Sequence, residues 1–458
     1  MEAGRADTPL KIFFSGIGGS GVSAIACFMA DKGHAVAGSD RAFDTNPEHP
    51  VRRLLISKNI TLVSQDGNGL DSSFDFAVFS TAVEPDQPEI KRARELGVPF
   101  KTRPGFLAEL VEKFRTVAVA GTSGKSTTSG MLAFLMERLG MRPNFIGGGR
   151  VKQFRTPSNP GNSLSGDSSR LVIEACESDG SLVDYRPRHS IFLNLDIDHH
   201  TVEETAGMFG ALACATSETV VINADDPRLA GIPFKNPIPF SLRRESSYRP
   251  ESVVYEPFGA EFSLRGQRFR LSLPGEYNLY NALACIAFLA ETGSSLKDLA
   301  ALLPEFSGIE RRFDVHLNDG KRLVLDDYAH NPHKISSFMK AAMKVRESVC
   351  YIFQPHGYAP TRMMKAEYIE AFSSHLRPVD HLVLLPIFYA GGTVSRDISS
   401  HDLAAGIKAS GKSVEVVEER SAVLERLCER EAYCVLGARD ETLADFAREI
   451  AAKIASCS

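Results

Sequence analysis

The chain lacks the features by which secreted, zinc-binding and membrane-spanning proteins are recognised. Its eight cysteines include no CxxC pair and mostly stand singly in apolar segments, which excludes a disulfide framework or a zinc site and predicts reduced thiols. No apolar run reaches about 18 residues, the length that a membrane helix needs. The first residues, Met1 to Pro9, are too polar for a signal peptide. We therefore expect a cytoplasmic protein.

A large excess of charge is also absent. The 52 Lys and Arg residues against 57 Asp and Glu leave a net charge of −5, which gives no reason to expect nucleic acid or an anionic membrane as a partner. There is no internal repeat of about 20 to 50 residues and no sustained heptad. At 458 residues the chain should hold about three globular domains, and we expect a monomer or a homodimer.

The most informative stretch joins an apolar strand to a glycine-rich turn and a helix. The turn reads Gly121-Thr122-Ser123-Gly124-Lys125-Ser126-Thr127, and apolar residues follow it at helical spacing. Backbone N–H groups of such a turn bind polyphosphate, while Lys125 reaches the terminal phosphates and Ser126 holds Mg²⁺. The general pattern has glycine where this chain has Val119, so the loop is a shortened variant. An ordinary solvated turn is the alternative.

A second glycine-rich turn lies near the N-terminus. The strand Lys11–Ser15 runs into Gly16-Ile17-Gly18-Gly19-Ser20-Gly21 and a helix, and a second strand ends at Asp40. This is a nucleotide-binding fingerprint in its βαβ context, so we expect a diphosphate at the helix N-terminus and Asp40 near a ribose or base. A tight turn that binds nothing is the alternative.

Acidic and histidine side chains follow two further predicted strands in the middle of the chain. Glu177 comes after the run Leu171 to Ile173, and His199 comes after the run Ile191 to Leu195. The carboxyl ends of parallel strands share one edge of a sheet, so both side chains should face the Lys125 turn and serve Mg²⁺. Strand-end side chains exposed to water are the alternative.

Three other segments of the central and C-terminal regions are notable. Asn278 and Asn281, three residues apart at the start of a helix, can bond adenine or ribose, or Asn278 can cap that helix. The stretch Thr156 to Ser169, rich in Ser, Pro, Gly and Asn, predicts a mobile surface loop. The pair Arg311-Arg312 suits phosphate contact, with a solvated surface pair as the default interpretation.

The last third of the sequence again alternates strands and helices. Polar side chains gather at the predicted strand ends, and they are Asp327, Tyr328, His330, His356 and Arg362. By the same sheet-edge argument they form a third candidate site.

Taken in order, these motifs resemble those of the Mur ligases. They are Phe14–Ser23 with Gly38–Asp40, Gly121–Thr127, Glu174–Asp179, Asp198-His199, Asn278 with Asn281, Arg311–Asp314, Asp326–Pro332 and Phe353–His356. The resemblance covers nearly the whole chain. It implies an α/β protein of three domains: a Rossmann-like UDP-sugar-binding domain (1–113), a central P-loop ATPase-like domain with a parallel sheet (114–312) and a C-terminal Rossmann-like domain that receives the amino acid and contacts ATP (313–458).

The resemblance also implies an ATP-dependent amide ligation that uses Mg²⁺. An amino acid, with L-alanine expected, or a short peptide is joined to UDP-N-acetylmuramate in peptidoglycan precursor synthesis. A carboxylate is a poor electrophile, so ATP converts it to an acyl phosphate, whose phosphate leaves when the amine attacks. The transition states carry negative charge that Mg²⁺ and Lys125 can stabilise.

The family pattern assigns roles to individual residues of this chain. The catalytic group is Lys125, Glu177, His199 and His330. The metal is bound by Ser126, Glu177 and His199. ATP is contacted by Gly121, Thr122, Ser123, Gly124, Lys125, Ser126, Thr127, Asn278, Asn281, Arg312 and Asp327. The UDP-sugar lies along Gly16, Gly18, Gly19, Ser20, Gly21, Ser39, Asp40 and Ser80. The acceptor is contacted by Tyr328, His330, His356 and Arg362.

The chain departs from the family pattern at several of these places. Ser123 and Ser126 stand where the family usually has His and Thr, and Cys176 stands where it has Asp. The alanine-adding members carry arginines, which hold the acceptor's carboxylate, where this chain has Gly357 and Pro360. An unpaired carboxylate would cost about 2 to 5 kcal/mol. The acceptor is then not free L-alanine, or Arg362 or Arg396 substitutes.

Other functions remain open from the sequence. A recycling ligase that attaches a preformed peptide to the same sugar, or a Mur-type ligase with another carboxylate and amine, would share most of the motifs. An NAD-dependent oxidoreductase could be built on the first glycine-rich turn, but it has no use for a triphosphate site. A non-catalytic nucleotide-binding scaffold is the remaining possibility.

Overall fold

The computed structural model describes residues 8–81, 86–197, 200–389, 395–427 and 430–456. The chain divides into two compact units, Met1–Ile309 and Glu310–Ser458. Each described unit is built on parallel sheets covered by helices, as the sequence predicts. No helix in the described part of the chain is both long and apolar enough to cross a membrane.

The first sheet belongs to the N-terminal third of the chain. Its strands are β1 (Lys11–Ser15), β2 (Ala35–Ser39), β3 (Thr61–Val63), β4 (Phe76–Phe79) and β5 (Phe100–Thr102). They are parallel and run in the order β3-β2-β1-β4-β5. The helices are α1 (Ser20–Asp31), α2 (Arg41–Thr45), α3 (Pro50–Ser57), α4 (Pro88–Leu96) and α5 (Arg103–Lys113). All four residues of β4 are buried, as expected for a strand with helices on both faces.

The second sheet contains the Lys125 turn. Its strands are β6 (Arg115–Ala120), β7 (Asn144–Ile146), β8 (Ser163–Leu164), β9 (Arg170–Glu174), β10 (His189–Phe192), β11 (Thr219–Asn223) and β12 (Ile238–Phe240). They run in the order β12-β11-β10-β6-β9-β7-β8, and β8 is antiparallel to β7. The glycine-rich turn therefore follows β6, a central strand whose neighbours are β9 and β10.

The remainder of the first unit extends this second domain. An antiparallel sheet is formed by β13 (Ser252–Glu256), β14 (Gly259–Leu264) and β15 (Gln267–Leu271). The helices are α6 (Lys125–Arg138), α7 (Val202–Ala215), α8 (Glu276–Glu291) and α9 (Leu296–Leu302), and short 3₁₀ helices cover Lys152–Phe154, Ser181–Asp184, Leu229–Gly231 and Leu303–Glu305. Helices α6 and α8 pack through a shared apolar core.

The third sheet lies in the C-terminal unit. Its strands are β16 (Asp314–Asn318), β17 (Leu323–Asp327), β18 (Val349–Phe353), β19 (His381–Leu384), β20 (Val414–Val416) and β21 (Ala432–Leu436). They run in the order β16-β17-β21-β18-β19-β20, and β16 is antiparallel to β17. The helices are α10 (Pro332–Ala342), α11 (Tyr358–Met363), α12 (Lys365–His375), α13 (Ser400–Ala409), α14 (Arg420–Leu424) and α15 (Leu443–Ser456).

One sequence-based prediction about a loop is wrong in part. The stretch Thr156 to Ser169 contains strand β8, and Asn162 within it is only 1% exposed. The Asn162 amide donates to the Ser20 carbonyl at 2.9 Å and to the Ser23 hydroxyl at 3.2 Å. Polar composition suggested a solvated loop, but here the Asn162 amide N–H group donates to the first turn of α1 instead of to water.

Candidate active site

The Lys125 turn has the backbone geometry of an anion-binding loop. Gly124 has a φ of +88°, and a Cβ there would lie 2.5 Å from Asn281 Oδ1, so glycine is required both by the left-handed backbone and by the close approach. Helix α6 begins at the next residue. No described residue accepts a hydrogen bond from the N–H groups of Gly124, Lys125, Ser126 or Thr127. These groups, at the positive end of α6, are available to bind phosphate.

The outer side of this turn is held by the segment that follows β10. Thr122 N donates to the Asn194 carbonyl at 3.0 Å and Ser123 N to Asn194 Oδ1 at 2.8 Å. The Thr122 hydroxyl accepts from Asp196 N at 2.8 Å. Sequence reasoning did not select Asn194 or Asp196, although their position after an apolar strand is the same signal that selected Glu177. The contacts fix the turn before any ligand binds.

Lys125 and Glu177 form an ion pair across the turn. Lys125 Nζ donates to Glu177 Oε2 at 2.8 Å and to the Gly121 carbonyl at 2.6 Å. The two side chains are 12% and 3% exposed. Burial is the largest influence and by itself would lower the pKa of Lys125, but the combined attraction of its neighbours, with Glu177 the largest among them, raises that pKa above its ordinary value. Lys125 therefore stays a cation in the turn where the sequence predicts phosphate.

Ser126 is oriented by Glu174, the last residue of β9. The Ser126 hydroxyl donates to Glu174 Oε2 at 3.0 Å, while Glu174 Oε1 accepts from Gly148 N at 2.8 Å and Gly149 N at 3.2 Å. A hydroxyl that gives its only hydrogen to a carboxylate presents its lone pairs to a cation. Sequence reasoning did not select Glu174, because only the pairing of β6 with β9 brings its carboxylate close to Ser126.

The predicted metal ligands are described only in part. His199 and its neighbour Asp198 lie outside the described residues. Among the described residues no group of three or more His, Cys, Asp and Glu side chains could hold a metal ion.

The two asparagines of α8 lie beside the turn and are buried. Asn281 Nδ2 donates to Asn278 Oδ1 at 3.2 Å, and Asn278 Nδ2 donates to the Pro274 carbonyl at 2.8 Å. The residue at the N-cap position of α8 is Gly275, so Asn278 does not cap the helix. The approach of Asn281 to Gly124 places this pair beside the Lys125 turn, where the sequence predicts ATP.

The N-terminal glycine turn is tied to the end of β2. Gly16 N donates to the Ser39 carbonyl at 2.9 Å, and Gly18 N donates to Asp40 Oδ2 at 2.8 Å. The other Asp40 oxygen accepts from Ala42 N at 2.9 Å and caps α2. Asp40 thus accepts hydrogen bonds from two backbone N–H groups. These bonds give it a structural role in addition to its predicted contact with the nucleotide.

The other predicted UDP-sugar residues surround the same turn. Gly19 is at the N-cap position of α1, which begins at Ser20, and no side chain caps it. Ser80 follows β4 and donates its N–H to the Ser15 carbonyl at 3.1 Å. Gly21 lies in the first turn of α1, where a Cβ would approach Arg103 Cδ at 3.5 Å. Arg103 also pairs with Asp179, and sequence reasoning selected neither of them.

A buried carboxylate, Glu89, lies behind this turn. Its two oxygens accept hydrogen bonds from the hydroxyls of Ser15 and Ser39, and it is fully buried. Burial raises the pKa of Glu89, and the serine hydroxyls partly offset that shift. The Ser39 side chain is therefore engaged inside the domain, and Glu89 joins the ends of β1 and β2 through it.

In the C-terminal unit, two histidines meet at the carboxyl edge of the third sheet. His330 follows β17 and His356 follows β18, and their ring centroids are 4.8 Å apart. His330 Nδ1 lies 3.0 Å from the Tyr328 carbonyl. Burial lowers the pKa of His330 to about 3 and that of His356 to about 4. Both imidazoles are therefore neutral at physiological pH.

The adjacent residues Arg311 and Arg312 have different environments. Arg311 is 4% exposed, and its guanidinium bonds to Asp326 and to the carbonyls of Gly437 and Asp440. Arg312 lies over the Tyr328 ring, 5.1 Å from its centroid. The structure thus uses Arg311 inside the domain and leaves Arg312, the residue that the family pattern assigns to ATP, nearer the surface.

Asp327 is oriented by the backbone on either side of it. Its carboxylate accepts from Phe313 N at 2.7 Å and from Ala329 N at 2.8 Å. Burial raises the pKa of Asp327, while Arg312 and these two N–H groups act in the opposite direction. The carboxylate is held in place at the end of β17, where the sequence predicts contact with ATP.

Comparison with known proteins agrees with this arrangement. Residues 11–115 match the family model "Mur ligase family, catalytic domain", residues 119–289 match "Mur ligase middle domain" and residues 311–439 match "Mur ligase, glutamate ligase domain". A UDP-N-acetylmuramate–L-alanine ligase from Stenotrophomonas maltophilia is 33% identical over 438 residues, which cover 90% of this chain and 88% of that protein. The chain belongs to the Mur ligase family.

Further relatives support the assignment to the Mur ligases. A UDP-N-acetylmuramate–L-alanine ligase from Caldanaerobacter subterraneus is 29% identical and covers 92% of both chains. The crystal structure of a UDP-N-acetylmuramate-alanine ligase from Thermotoga maritima superposes with a TM-score of 0.81 at 26% identity, covering 98% of this chain and all of that one. A murein peptide ligase from Psychrobacter arcticus, with a TM-score of 0.70 and 21% identity, shares the fold.

As a Mur ligase, the chain is an ATP-dependent ligase with the three-domain α/β architecture of that family. The resemblance stated from the motifs is thereby confirmed. The residue bounds 1–113, 114–312 and 313–458, and the roles of the individual site residues, remain predictions.

Arg362 or Arg396 was one of the alternatives offered for the arginines that this Mur ligase lacks at Gly357 and Pro360. Arg362 Nε donates to Asp397 Oδ1 at 2.9 Å, and its guanidinium also contacts the Ser395 carbonyl. Arg396 lies over the Tyr389 ring, 3.8 Å from its centroid. Arg362 is thus already paired, and it would have to leave Asp397 in order to bind a carboxylate.

Acid is expected to destabilise the C-terminal unit through His330. The pKa of His330 falls from an ordinary 6.5 to about 3 on folding, so between these values the unfolded chain binds more protons and stability decreases as the pH falls. The effect is at most about 1.4 kcal/mol per pH unit. In His330→Gln, urea midpoints measured between pH 7 and pH 4 should depend less on pH than in the parent.

A matched control separates this effect from other titrating groups. His401, which pairs with Glu418 on the surface, should leave the pH dependence unchanged when replaced by Gln. Comparison of variant with parent is needed because the raised pKa of buried Asp326 acts in the opposite direction. Equal pH dependence in His330→Gln and the parent would contradict the prediction.

Proposed function

We propose that this Mur ligase joins a free amino acid, with L-alanine expected, to UDP-N-acetylmuramate through an acyl phosphate, in peptidoglycan precursor synthesis in the cytoplasm. The observation that carries the proposal is the Lys125–Glu177 pair, at 2.8 Å, over a turn whose N–H groups are available for phosphate. Relatives named UDP-N-acetylmuramate–L-alanine ligase over about nine-tenths of the chain supply the substrate class.

The proposed ATP site consists of the Lys125 turn and its neighbours. The N–H groups of the turn and the Lys125 ammonium would bind the phosphates. Asn278 and Asn281, with 5% and 4% exposure, would line the nucleoside side. Arg312 and Asp327 are the further residues that we propose to contact ATP. Lys125 Nζ is held at the turn by Glu177 and the Gly121 carbonyl, so its charge is at the proposed phosphate site before phosphate arrives, and it would exchange one of these partners for phosphate.

The residues present also fit Mg²⁺. Ser126 keeps its lone pairs available because its hydrogen is given to Glu174, and Glu177 has one oxygen beside Lys125. We propose that Ser126, Glu177 and His199 hold the ion. When bound, Mg²⁺ neutralises charge that develops on the transferring phosphoryl group.

The residues of the other two domains would then bind the carboxylate and amine substrates. The sugar nucleotide is proposed to lie along Gly16 to Gly21, with Ser39, Asp40 and Ser80 nearby. The amine is proposed to meet Tyr328, His330, His356 and Arg362. His330 and His356 are neutral at pH 7, so either imidazole can accept the proton that the amine loses on attack. Their low pKa values make them weak bases, so the proton must pass on to water.

A peptide acceptor is the second candidate. It is favoured by Gly357 and Pro360, which leave this edge without two arginines, and by the engagement of Arg362 with Asp397. A preformed peptide carries its carboxylates farther from the reacting amine than a free amino acid does, so it would not need those arginines at the same place.

An acceptor panel tests the proposal. Purified protein with UDP-N-acetylmuramate, ATP and Mg²⁺ should release phosphate with L-alanine, and product mass should increase by one alanine residue. N-acetyl-L-alanine, which has no free amine, is the matched control and should give only background release. Phosphate release that is unchanged without the sugar nucleotide would contradict the proposal, and release with tripeptides alone would favour the second candidate.

A further inference from the structure

The turn after β21 brings an arginine to the histidine edge of the C-terminal sheet. Strand β21 pairs with both β17 and β18, so residues beyond its end lie between those that follow the other two strands. Arg439 is three residues past the end of β21, as His330 and His356 are three residues past the ends of β17 and β18. These three side chains therefore belong to one sheet edge.

The base of this arginine is rigid. Arg439 has a φ of +64°, and its N–H points to the Tyr328 hydroxyl at 3.4 Å. The flanking residues of the turn are bonded by Arg311, which reaches the carbonyls of Gly437 and Asp440, and by Arg420, which donates to Asp440 Oδ2 at 2.6 Å. The guanidinium is thus presented from a fixed backbone.

The Arg439 guanidinium lies within van der Waals distance of the place where a Cβ at position 357 would be. A Cβ built on Gly357 would be 3.5 Å from Pro360 Cδ and 4.0 Å from Arg439 Nη1. A large residue at position 357 would compete with this guanidinium for space. Because Gly357 has no side chain, it leaves space beside the Arg439 guanidinium.

The charge of Arg439 has no acidic partner among the described residues, unlike that of its neighbours. Arg311 pairs with Asp326, Arg420 with Asp440 and Arg362 with Asp397. Beside Arg439, His356 is 8% exposed and its Nδ1 has no hydrogen-bond partner in the described part of the chain. An unpaired guanidinium next to an unsatisfied buried imidazole nitrogen is an arrangement that an anion with hydrogen-bonding oxygens would complete.

We infer that Arg439 binds the α-carboxylate of the incoming amino acid, with His356 beside it. The inference rests on the proposed function and makes it more specific. A carboxylate next to the reacting amine is found in a free amino acid but not in an amino-acid amide, so Arg439 would select free amino acids over amides and over peptides that react through their N-terminus. It would take the place of the arginines that Gly357 and Pro360 do not supply.

The test compares L-alanine with L-alaninamide in the parent chain and in Arg439→Ala. In the variant we expect the KM for L-alanine to rise by about 10- to 100-fold, the effect of losing a charge-assisted hydrogen bond. The KM for ATP and for the sugar nucleotide should stay within about two-fold, and the preference for L-alanine over L-alaninamide should largely disappear. Arg439→Lys, which keeps the charge without the planar guanidinium, should give an intermediate KM.

The control is Arg448→Ala, which removes an exposed arginine that pairs with Asp445 on α15 and should change none of these constants. A variant of Arg439 that folds with the parent's thermal midpoint and keeps both the KM for L-alanine and the preference would overturn the inference while leaving the ligase function intact. Turnover of the parent with peptides alone would overturn it too. No phosphate release by the parent under any condition would instead contradict the proposed function.

Discussion

Replacement of Lys125 by alanine is expected to lower kcat/KM for ATP-dependent ligation by about 100- to 1,000-fold, the usual effect of removing one preorganised donor to a developing charge. The ammonium is held 2.8 Å from Glu177 and remains charged. Phosphate release under saturating sugar nucleotide and amino acid measures the loss. A variant with turnover within about three-fold of the parent would refute the assignment of the phosphate site to this turn.

The same substitution leaves a buried carboxylate without its partner, so loss of stability has to be separated from loss of catalysis. Glu177 is 3% exposed, and an unpaired charge there destabilises the fold. The double variant Lys125→Ala with Glu177→Gln should regain thermal stability and stay inactive. Lys58→Ala, which breaks the comparable Lys58–Asp31 pair in the first domain, is the matched control and should keep full turnover.

The second large effect is expected from Arg311→Ala, which should lower the free energy of unfolding of the C-terminal unit by about 3 to 5 kcal/mol. The Arg311 and Asp326 side chains are 5% and 0% exposed. Burial raises the pKa of Asp326 to about 7 even with Arg311 beside it, so the carboxylate depends on this partner to stay ionised. Removing the guanidinium also leaves the carbonyls of Gly437 and Asp440 without their donor.

The neighbouring arginine provides the contrast for this experiment. Arg312 is half-buried over the Tyr328 ring and counteracts the raised pKa of Asp327, so Arg312→Ala should lower the free energy of unfolding, but by less than Arg311→Ala does. It should also raise the KM for ATP if Arg312 binds phosphate as proposed. Hydrogen exchange at the amides of β17 and β21 reports the stability of this unit locally. Equal protection of these amides in Arg311→Ala and the parent would contradict the prediction.

A volume-conserving replacement tests the physical reason. The pair Arg311→Met with Asp326→Leu removes both charges together, so no buried ion is left uncompensated. We expect it to recover most of the stability that Arg311→Ala loses, because replacing a buried ion pair by apolar groups of similar size is often neutral.

Much of the geometry of the Lys125 turn could be predicted from local sequence. The turn from Gly121 to Thr127 was located correctly because an apolar strand, glycines and a helical pattern are contiguous in the chain. Glu177 was placed beside Lys125 by the rule that strand ends share an edge, and the structure brings them to 2.8 Å. Glu174 was missed, since its role depends on which strand lies next to β6.

The adjacent arginines show where sequence reasoning stops. Arg311 and Arg312 have the same chemistry, and the sequence could not separate a buried partner of Asp326 from a half-buried arginine over Tyr328. The difference lies in long-range contacts, because Arg311 bonds to Asp326 and to the carbonyls of Gly437 and Asp440. The same holds for Ser39, whose hydroxyl is bonded to the buried Glu89, 50 residues away in the chain.

By itself the sequence determined the fold class, the two glycine turns and the family, because these depend on patterns within a few residues or on the order of motifs along the chain. Only the tertiary structure decided which charges are paired: Lys125 with Glu177, Ser126 with Glu174, Arg311 with Asp326, and Arg439 with no acid among the described residues. Electrostatic partners come from different strands whose ends meet, and the strength of each contact depends on burial, so neither can be read from positions along the chain.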